Sequence, residues 1–147
     1  MGGSIWGFGV EAGTHAVRLI LSGTFDRYPK LRIVLGHMGE ALPFWMWRLD
    51  HMAARRAKDG RMKPLALAPN DYFRRNFAVT TSGFEAPDVL DLVIKAAGIG
   101  NVMFAIDYPY ESSRDAVAFI DNAQLTHDRR VRIFHRNAER IFHLTRK

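Results

Sequence analysis

The sequence predicts an α/β fold built on a parallel sheet, and two observations support this. Three nearly continuous apolar segments, residues 31–35, 77–81 and 102–106, have the character of strands that are covered on both faces. Segments with helical periodicity lie between them, and strands that alternate with helices are typical of βαβ units. We therefore expect about three parallel strands with flanking helices.

Helices are predicted before, between and after the strands, over residues 10–25, 41–57, 87–97 and 112–125. Proline in the first turn and Gly98 after the last periodic residue delimit the third of these helices. Pro64 and Pro69 indicate a loop after the second helix. An open, doubly wound sheet would show the same alternation, but no GxGxxG phosphate-binding pattern follows the first strand, so nucleotide binding loses its main support.

Length and composition indicate one domain, or a piece of one, over residues 1–147. The chain is well short of the ~250 residues of a closed eight-stranded α/β barrel, and 48% hydrophobic with 24% charged residues is ordinary globular composition. The absence of cysteine excludes disulfides and thiolate metal sites and is compatible with a reducing cytoplasm. Since the apolar runs are too short to span a bilayer, we expect a cytoplasmic protein without a membrane segment.

The formal net charge of +6 is concentrated at the end of the chain, since residues 128–147 hold seven basic and two acidic residues. Apolar residues recur there at helical spacing: Val131, Phe134, Ala138, Ile141 and Phe142. This pattern predicts a terminal amphipathic helix with its arginines in solvent. No aromatic-and-basic stacking motif accompanies the charge, so we expect no nucleic-acid partner.

The candidate chemistry lies directly after two of the predicted strands. His37 follows the first strand and Asp107 the third, and in α/β barrels this carboxyl edge carries the catalytic residues. Imidazole and carboxylate are suitable ligands for zinc, manganese or iron. Each residue also has a structural interpretation, His37 as a hydrogen-bonding strand end and Asp107 as a turn residue. Because both lie at the same edge, we favour a shared site.

The motif GHMGE, the segment WMWRLD that follows it, DYP about seventy residues after His37, and the ending RNAERIFHL form a specific combination. Together they resemble the amidohydrolase-related family that includes γ-resorcylate, 5-carboxyvanillate and aminocarboxymuconate semialdehyde decarboxylases. The resemblance implies the C-terminal portion of a TIM-type (β/α)8 metal-dependent hydrolase barrel. It also implies that His37 and Asp107 follow strands six and eight of that barrel.

The resemblance further implies roles for three residues. His37 corresponds to the family's catalytic histidine, and Asp107 to the aspartate that ligates the metal and exchanges a proton with the substrate carbon. Arg48 corresponds to an arginine that binds a substrate carboxylate in the neighbouring subunit, and the alternative for Arg48 is a salt bridge on the helix surface. The implied cofactor is a divalent metal, with zinc expected first and manganese as the alternative, and the implied partner is a small carboxylic acid.

The chain also departs from the family pattern. It has no H-x-H or E-x-H first strand and no histidine ligand from strand five, so barrel strands one to five are expected to be absent. We therefore expect weak metal binding by the chain alone, and either a homo-oligomer or a missing N-terminal half as its partner. The leading hypothesis is a carboxy-lyase acting on a small aromatic or unsaturated acid. The alternatives are a metal-dependent hydrolase and a non-catalytic remnant.

Overall fold

A computed structural model describes residues 2–144 of the chain. Its helices and strands follow in this order: α1 (Gly7–Leu21), α2 (Thr24–Arg27), β1 (Ile33–Leu35), α3 (Leu42–Lys58), α4 (Pro69–Asn76), β2 (Phe77–Thr80), α5 (Pro87–Ala97), β3 (Val102–Met103), α6 (Ser113–Asn122), α7 (His127–Val131) and α8 (Asn137–Ile141). The predicted alternation of strands and helices is confirmed.

In the described part of the chain, the strands form one parallel sheet in the order β1, β2, β3. Ile33 pairs with Phe77 and Val79 pairs with Val102. The strands are shorter than predicted, most of all β3, because the N–H of Phe104 leaves the ladder and donates to the carbonyl of Ile133 at 2.8 Å. The α/β fold with three parallel strands and flanking helices is thus confirmed.

The hydrophobic core lies between the sheet and its helices. The side chains of Phe25, Phe73 and Phe77 are fully buried, and the rings of Phe25 and Phe77 make an edge-to-face contact with their centroids 5.3 Å apart. Aromatic pairs in this geometry are favourable beyond the area they bury. This packing fixes α2 and α4 against the start of β2, and β2 in turn positions the edge that carries the candidate site.

The predicted loop around Pro69 is wrong in part, because α4 begins at that residue. Proline is well suited to the first helical position, where its missing N–H would have no intrahelical partner. The helix places Tyr72 and Phe73 in the core and ends in Asn76, whose side-chain amide donates to the carbonyls of Pro29 and Leu31. The short helix α4 therefore ties the chain before β1 to the start of β2.

The terminal helix is confirmed between residues 127 and 141, where α7, a π-helical turn and α8 run on with right-handed backbone. The π-helical turn at Arg132–Arg136 changes which side chains of the segment face the core. Those that are buried are Ile133, Asn137 and Ile141. Phe142, predicted to pack inward, is 52% exposed, and that prediction is wrong. Residues 145–147 of the predicted helix lie outside the described residues.

The arginines between residues 127 and 144 are exposed or partly exposed at the surface, as the sequence predicts. Arg130 pairs with Asp121 at 2.6 Å, and Arg132 pairs with Asp128 at 2.7 Å. Across residues 2–144, no helix is both long and apolar enough to cross a membrane.

Candidate active site

His37 and Asp107 meet at the carboxyl edge of the sheet. His37 follows the end of β1 and Asp107 follows β3, and Nε2 of His37 lies 3.3 Å from Oδ2 of Asp107. Both side chains are about one-third exposed, so that a small molecule can reach them from solvent. The prediction that these two residues share one edge is confirmed, and their chemical roles stay predictions.

The backbone that carries His37 is a left-handed turn. All five residues from His37 to Ala41 have positive φ, and Gly39 is the one glycine among them. The amide of Gly39 donates to the carbonyl of Gly36 at 2.7 Å, and that of Glu40 donates to the carbonyl of His37 at 3.1 Å. Left-handed backbone costs a non-glycine residue roughly 1–2 kcal/mol. Surrounding contacts must therefore hold this turn in place.

Two of those contacts come from the core and one from the end of β2. Met38 is 2% exposed and anchors the turn in the core. The α-carbon of Gly39 lies so close to Pro43 and Val79 that a β-carbon there would come within 3.1 Å of the proline ring. The N–H of His37 donates to the hydroxyl oxygen of Ser82 at 3.3 Å.

Glu40 is a site residue that the sequence patterns do not predict. Its side chain is 8% exposed, and Oε1 lies 2.7 Å from Nδ1 of His37. A carboxylate at this distance accepts a charge-assisted hydrogen bond from the ring and fixes its orientation. The available signal was an acidic residue three positions after His37 in the GHMGE motif.

The imidazole of His37 therefore lies between two carboxylates. Burial alone would lower the pKa of His37, but the hydrogen bonds to Glu40 and Asp107 and the charges of those carboxylates more than offset it. The pKa of His37 is raised above its usual value as a result. The contact between Nε2 of the ring and the oxygen of Asp107 is the geometry that a proton transfer between the two groups requires.

The segment after β2 links the two halves of the site. Thr81 binds the backbone of Ala105 twice, donating its hydroxyl to the carbonyl at 3.0 Å and accepting the N–H at 3.1 Å. Gly83 leaves room for the imidazole, since a β-carbon there would lie 2.9 Å from Cδ2 of His37. The chain leading to Asp107 and the ring of His37 are thus both positioned from β2.

Comparison with known proteins is consistent with this architecture. The amidohydrolase family profile matches residues 1–144. The chain belongs to the amidohydrolase family. A gamma-resorcylate decarboxylase from Polaromonas sp. (strain JS666) is 40% identical over 145 residues, which are 98% of this chain and 44% of that protein. This amidohydrolase chain therefore spans less than half the length of the curated relatives it matches.

Solved structures resemble the amidohydrolase chain closely. The crystal structure of 5-carboxyvanillate decarboxylase from Sphingomonas paucimobilis matches with a TM-score of 0.93 and 52% identity, covering 97% of this chain and 43% of that one. The 5-carboxyvanillate decarboxylase from Novosphingobium aromaticivorans matches with a TM-score of 0.92 and 41% identity, covering 97% of this chain and 41% of that one. The latter structure contains manganese and 4-hydroxy-3-methoxy-5-nitrobenzoic acid.

Arg48 lies apart from this cluster on the solvent side of α3. Its side chain is exposed, and it takes part in none of the ion pairs formed among residues 2–144. The predicted alternative of a salt bridge on the helix surface is therefore not formed in the described part of this amidohydrolase chain. Phe44 and Trp47 on the same helix are also largely exposed.

His37 and Asp107 supply only part of a ligand set for a metal ion. Within residues 2–144, no group of three or more His, Cys, Asp or Glu side chains is arranged to hold one. Catalytic zinc sites usually have three protein ligands, and the oxygen of Asp107 suits zinc and manganese alike. The donors at this edge are therefore chemically suited to a divalent metal, and among the described residues they form an incomplete ligand set.

Proposed function

We propose that this chain forms the catalytic edge of a metal-dependent, non-oxidative decarboxylase of a small aromatic carboxylic acid. The observation that carries the proposal is the contact between His37 Nε2 and Asp107 Oδ2, with the imidazole held on its other side by Glu40. Support comes from the relatives, since this chain is 40% identical to a gamma-resorcylate decarboxylase and 52% identical to a 5-carboxyvanillate decarboxylase.

In this proposal Asp107 is the proton donor. Its carboxyl group gives a proton to the ring carbon that bears the carboxylate. The bond from that carbon to the carboxylate then breaks, its electron pair returns to the ring, and carbon dioxide leaves. His37 restores the proton to Asp107 across the 3.3 Å contact, and Glu40 keeps the imidazole in the orientation that this transfer requires.

The same carboxylate would hold the divalent metal. When bound, the metal polarises the substrate oxygens and neutralises the negative charge of the acid. The family resemblance led us to expect zinc first. We now favour manganese, because the Novosphingobium decarboxylase structure contains manganese. Asp107 is the one metal ligand that we assign to this chain.

The strand edges suggest how the site is completed. In the described residues β1 and β3 each pair only with β2, so both outer edges present backbone donors and acceptors without a strand partner. Val34 of β1 is 43% exposed, although interior strands of an α/β barrel are covered on both faces. We propose that residues 1–147 form one partial domain, that further barrel strands supply the remaining ligands, and that Arg48 serves a neighbouring subunit in a homo-oligomer.

A chimera tests the proposed function. The chain would replace the matching 43% of the Sphingomonas decarboxylase, and carbon dioxide release from 5-carboxyvanillate and γ-resorcylate would be measured with manganese. We expect release by the chimera and none from its Asp107→Asn variant.

The same preparation separates the alternatives. Hydrolysis of aryl esters without carbon dioxide release would favour the metal-dependent hydrolase. A folded chimera that retains its metal and has neither activity would overturn the proposal and favour a non-catalytic chain. The 147-residue chain assayed alone shows whether the described edge suffices for turnover.

A further inference from the structure

Two glycines lie on one face of α1, where the helix approaches the turn that carries His37. Gly9 and Gly13 are four residues apart and therefore point to the same side of the helix. A β-carbon at Gly13 would lie 2.9 Å from the carbonyl oxygen of Glu40, and one at Gly9 would lie 2.9 Å from Oε2 of the same residue. Real β-carbons essentially never show contacts this short, so Glu40 occupies space that only glycine leaves free.

Helix propensity does not explain these glycines. Alanine is strongly favoured over glycine in a helix interior, and both positions lie inside α1. The close approach to Glu40 is the structural feature that the two glycines share. Gly9 faces the carboxylate group and Gly13 faces the backbone of this one residue.

We propose that the glycine face of α1, formed by Gly9 and Gly13, is a positioning surface for the catalytic histidine. Its effect reaches His37 through Glu40. Glu40 has φ of 51°, a left-handed conformation that must be held from outside the turn, and Gly13 allows α1 to pack directly on its carbonyl. The catalytic part of this inference rests on the proposed function.

The geometry at the carboxylate explains why position 9 affects His37. The two oxygens of Glu40 have different neighbours: Oε2 faces Gly9, and Oε1 lies 2.7 Å from Nδ1 of His37. A methyl group at position 9 must therefore rotate or push the carboxylate, and Oε1 then moves away from the imidazole.

A positioning role and a packing role predict different results for Gly9→Ala. If the glycine served packing alone, the substitution would lower stability and activity together. In the positioning role, activity falls while stability does not, because the new methyl meets the end of a flexible side chain rather than backbone. Alanine then favours the helix while the hydrogen bond to His37 is disturbed.

Gly9→Ala is accordingly the test variant. In the full chain we expect a melting temperature that is unchanged or raised by about 2–4 °C. The ring-nitrogen chemical shifts of His37 should change toward those of a Glu40→Gln variant. In the active chimera we expect kcat to fall about tenfold or more with KM unchanged, since a hydrogen bond to a charged group is weakened.

Thr14→Ala is the matched control, because it lies on the exposed side of α1 and also improves helix propensity. It should raise stability without altering the His37 ring signals or kcat. Gly13→Ala meets backbone and is expected to destabilise the chain, so it is not the deciding variant.

The two measurements also separate this inference from the proposed function. Ring signals and kcat of Gly9→Ala that match the parent protein would overturn the positioning role. A parent chimera without carbon dioxide release would overturn the proposed function alone. In that case the His37 signals of the full chain would still decide whether Gly9 positions the ring.

Discussion

Nε2 of His37 and Oδ2 of Asp107 lie 3.3 Å apart, although seventy residues of sequence separate them. The strands that precede them flank β2 on opposite sides and are therefore about 10 Å apart. The contact exists because both side chains reach across the end of β2. The residues just after that strand hold each partner: Ser82 binds the amide of His37, and Thr81 binds the backbone that leads to Asp107.

Replacing Asp107 by asparagine should remove catalysis and keep the fold. Asparagine cannot donate the carboxyl proton, and general acid catalysis typically contributes about 10²- to 10⁴-fold in rate. Asp107 has φ of 78°, a conformation that asparagine tolerates better than most residues. Because Asp107 is also the proposed metal ligand, we expect kcat of the chimera to fall by at least that factor, and carbon dioxide release to become undetectable, with an unchanged circular dichroism spectrum. A variant that keeps its activity would show that another group donates the proton.

Replacing Glu40 by glutamine should slow the reaction by a smaller factor. Glutamine has nearly the same shape, but its amide oxygen is a weaker acceptor than the carboxylate that bonds His37 at 2.7 Å. Hydrogen bonds to charged groups contribute about 1.5–3 kcal/mol, so we expect kcat to fall roughly 10- to 100-fold. Steady-state kinetics of the chimera provide the measurement, and Glu139→Gln is the control, because Glu139 on α8 pairs with His135 at 3.0 Å as Glu40 pairs with His37. Equal rates for Glu40→Gln and the parent would contradict an orienting role for Glu40.

Much of the fold follows from local sequence signals. The helix predicted over residues 87–97 is present as α5 with the same bounds, because Pro87 in the first turn and Gly98 after the last are unambiguous signals. The helix α4 was missed since Pro69 fits a loop and a first helical position equally well. Only its burial against the core distinguishes the two, and burial is a tertiary property.

The site was only partly predictable, again because some of its features depend on tertiary contacts. His37 and Asp107 were recognisable because each follows an apolar strand, and parallel strands place such residues at one edge. The left-handed turn from His37 to Ala41 was not predictable, since Met, Glu and Ala have no local preference for positive φ. Its conformation depends on contacts with Ser82 and α1, which lie far away in sequence.

The π-helical turn in the terminal helix can be tested by two truncations. Ile133 is fully buried, whereas Phe142 is 52% exposed. Ile133→Ala should therefore lower the free energy of unfolding by about 2–5 kcal/mol. Phe142→Ala should cost less than about 1 kcal/mol, because it leaves no cavity in the core. Urea denaturation of both variants provides the measurement, and the reverse order would show that Phe142 packs inward as the simple helical pattern predicts.

A buried hydroxyl network predicts a second effect on stability. Tyr72 is fully buried, its hydroxyl donates to Asp26, and the same oxygen accepts the N–H of Leu67 at 3.0 Å. Tyr72→Phe leaves that N–H without its partner, which typically costs about 1–3 kcal/mol. We expect a lower urea midpoint with an unchanged slope. Tyr28→Phe, at an exposed tyrosine, is the control and should leave the midpoint unchanged.

The last prediction concerns the chain on its own. Both outer strand edges lack a strand partner in the described residues, and Phe44 and Trp47 on α3 are 72% and 73% exposed. Open edges and exposed aromatic side chains favour self-association. Asp107, the one ligand assigned to this chain, is too few for tight metal binding. We therefore expect the purified chain to sediment as an oligomer or aggregate and to retain much less than one manganese ion after dialysis.

Two additions to this experiment identify the causes of the self-association and of the weak metal retention. Trp47→Lys removes the most exposed α3 aromatic side chain without touching the strand edges, so association that is lost in this variant comes from the α3 surface rather than from the open edges. Supplying the part of the Sphingomonas decarboxylase outside the matched 43% should restore one metal ion per chain and relieve the association. Asp107→Asn in that complex should weaken metal retention again, because it removes the ligand that this chain contributes. A monomer that holds one manganese ion tightly without those strands would contradict the account, since the chain would then complete the metal site from its own residues.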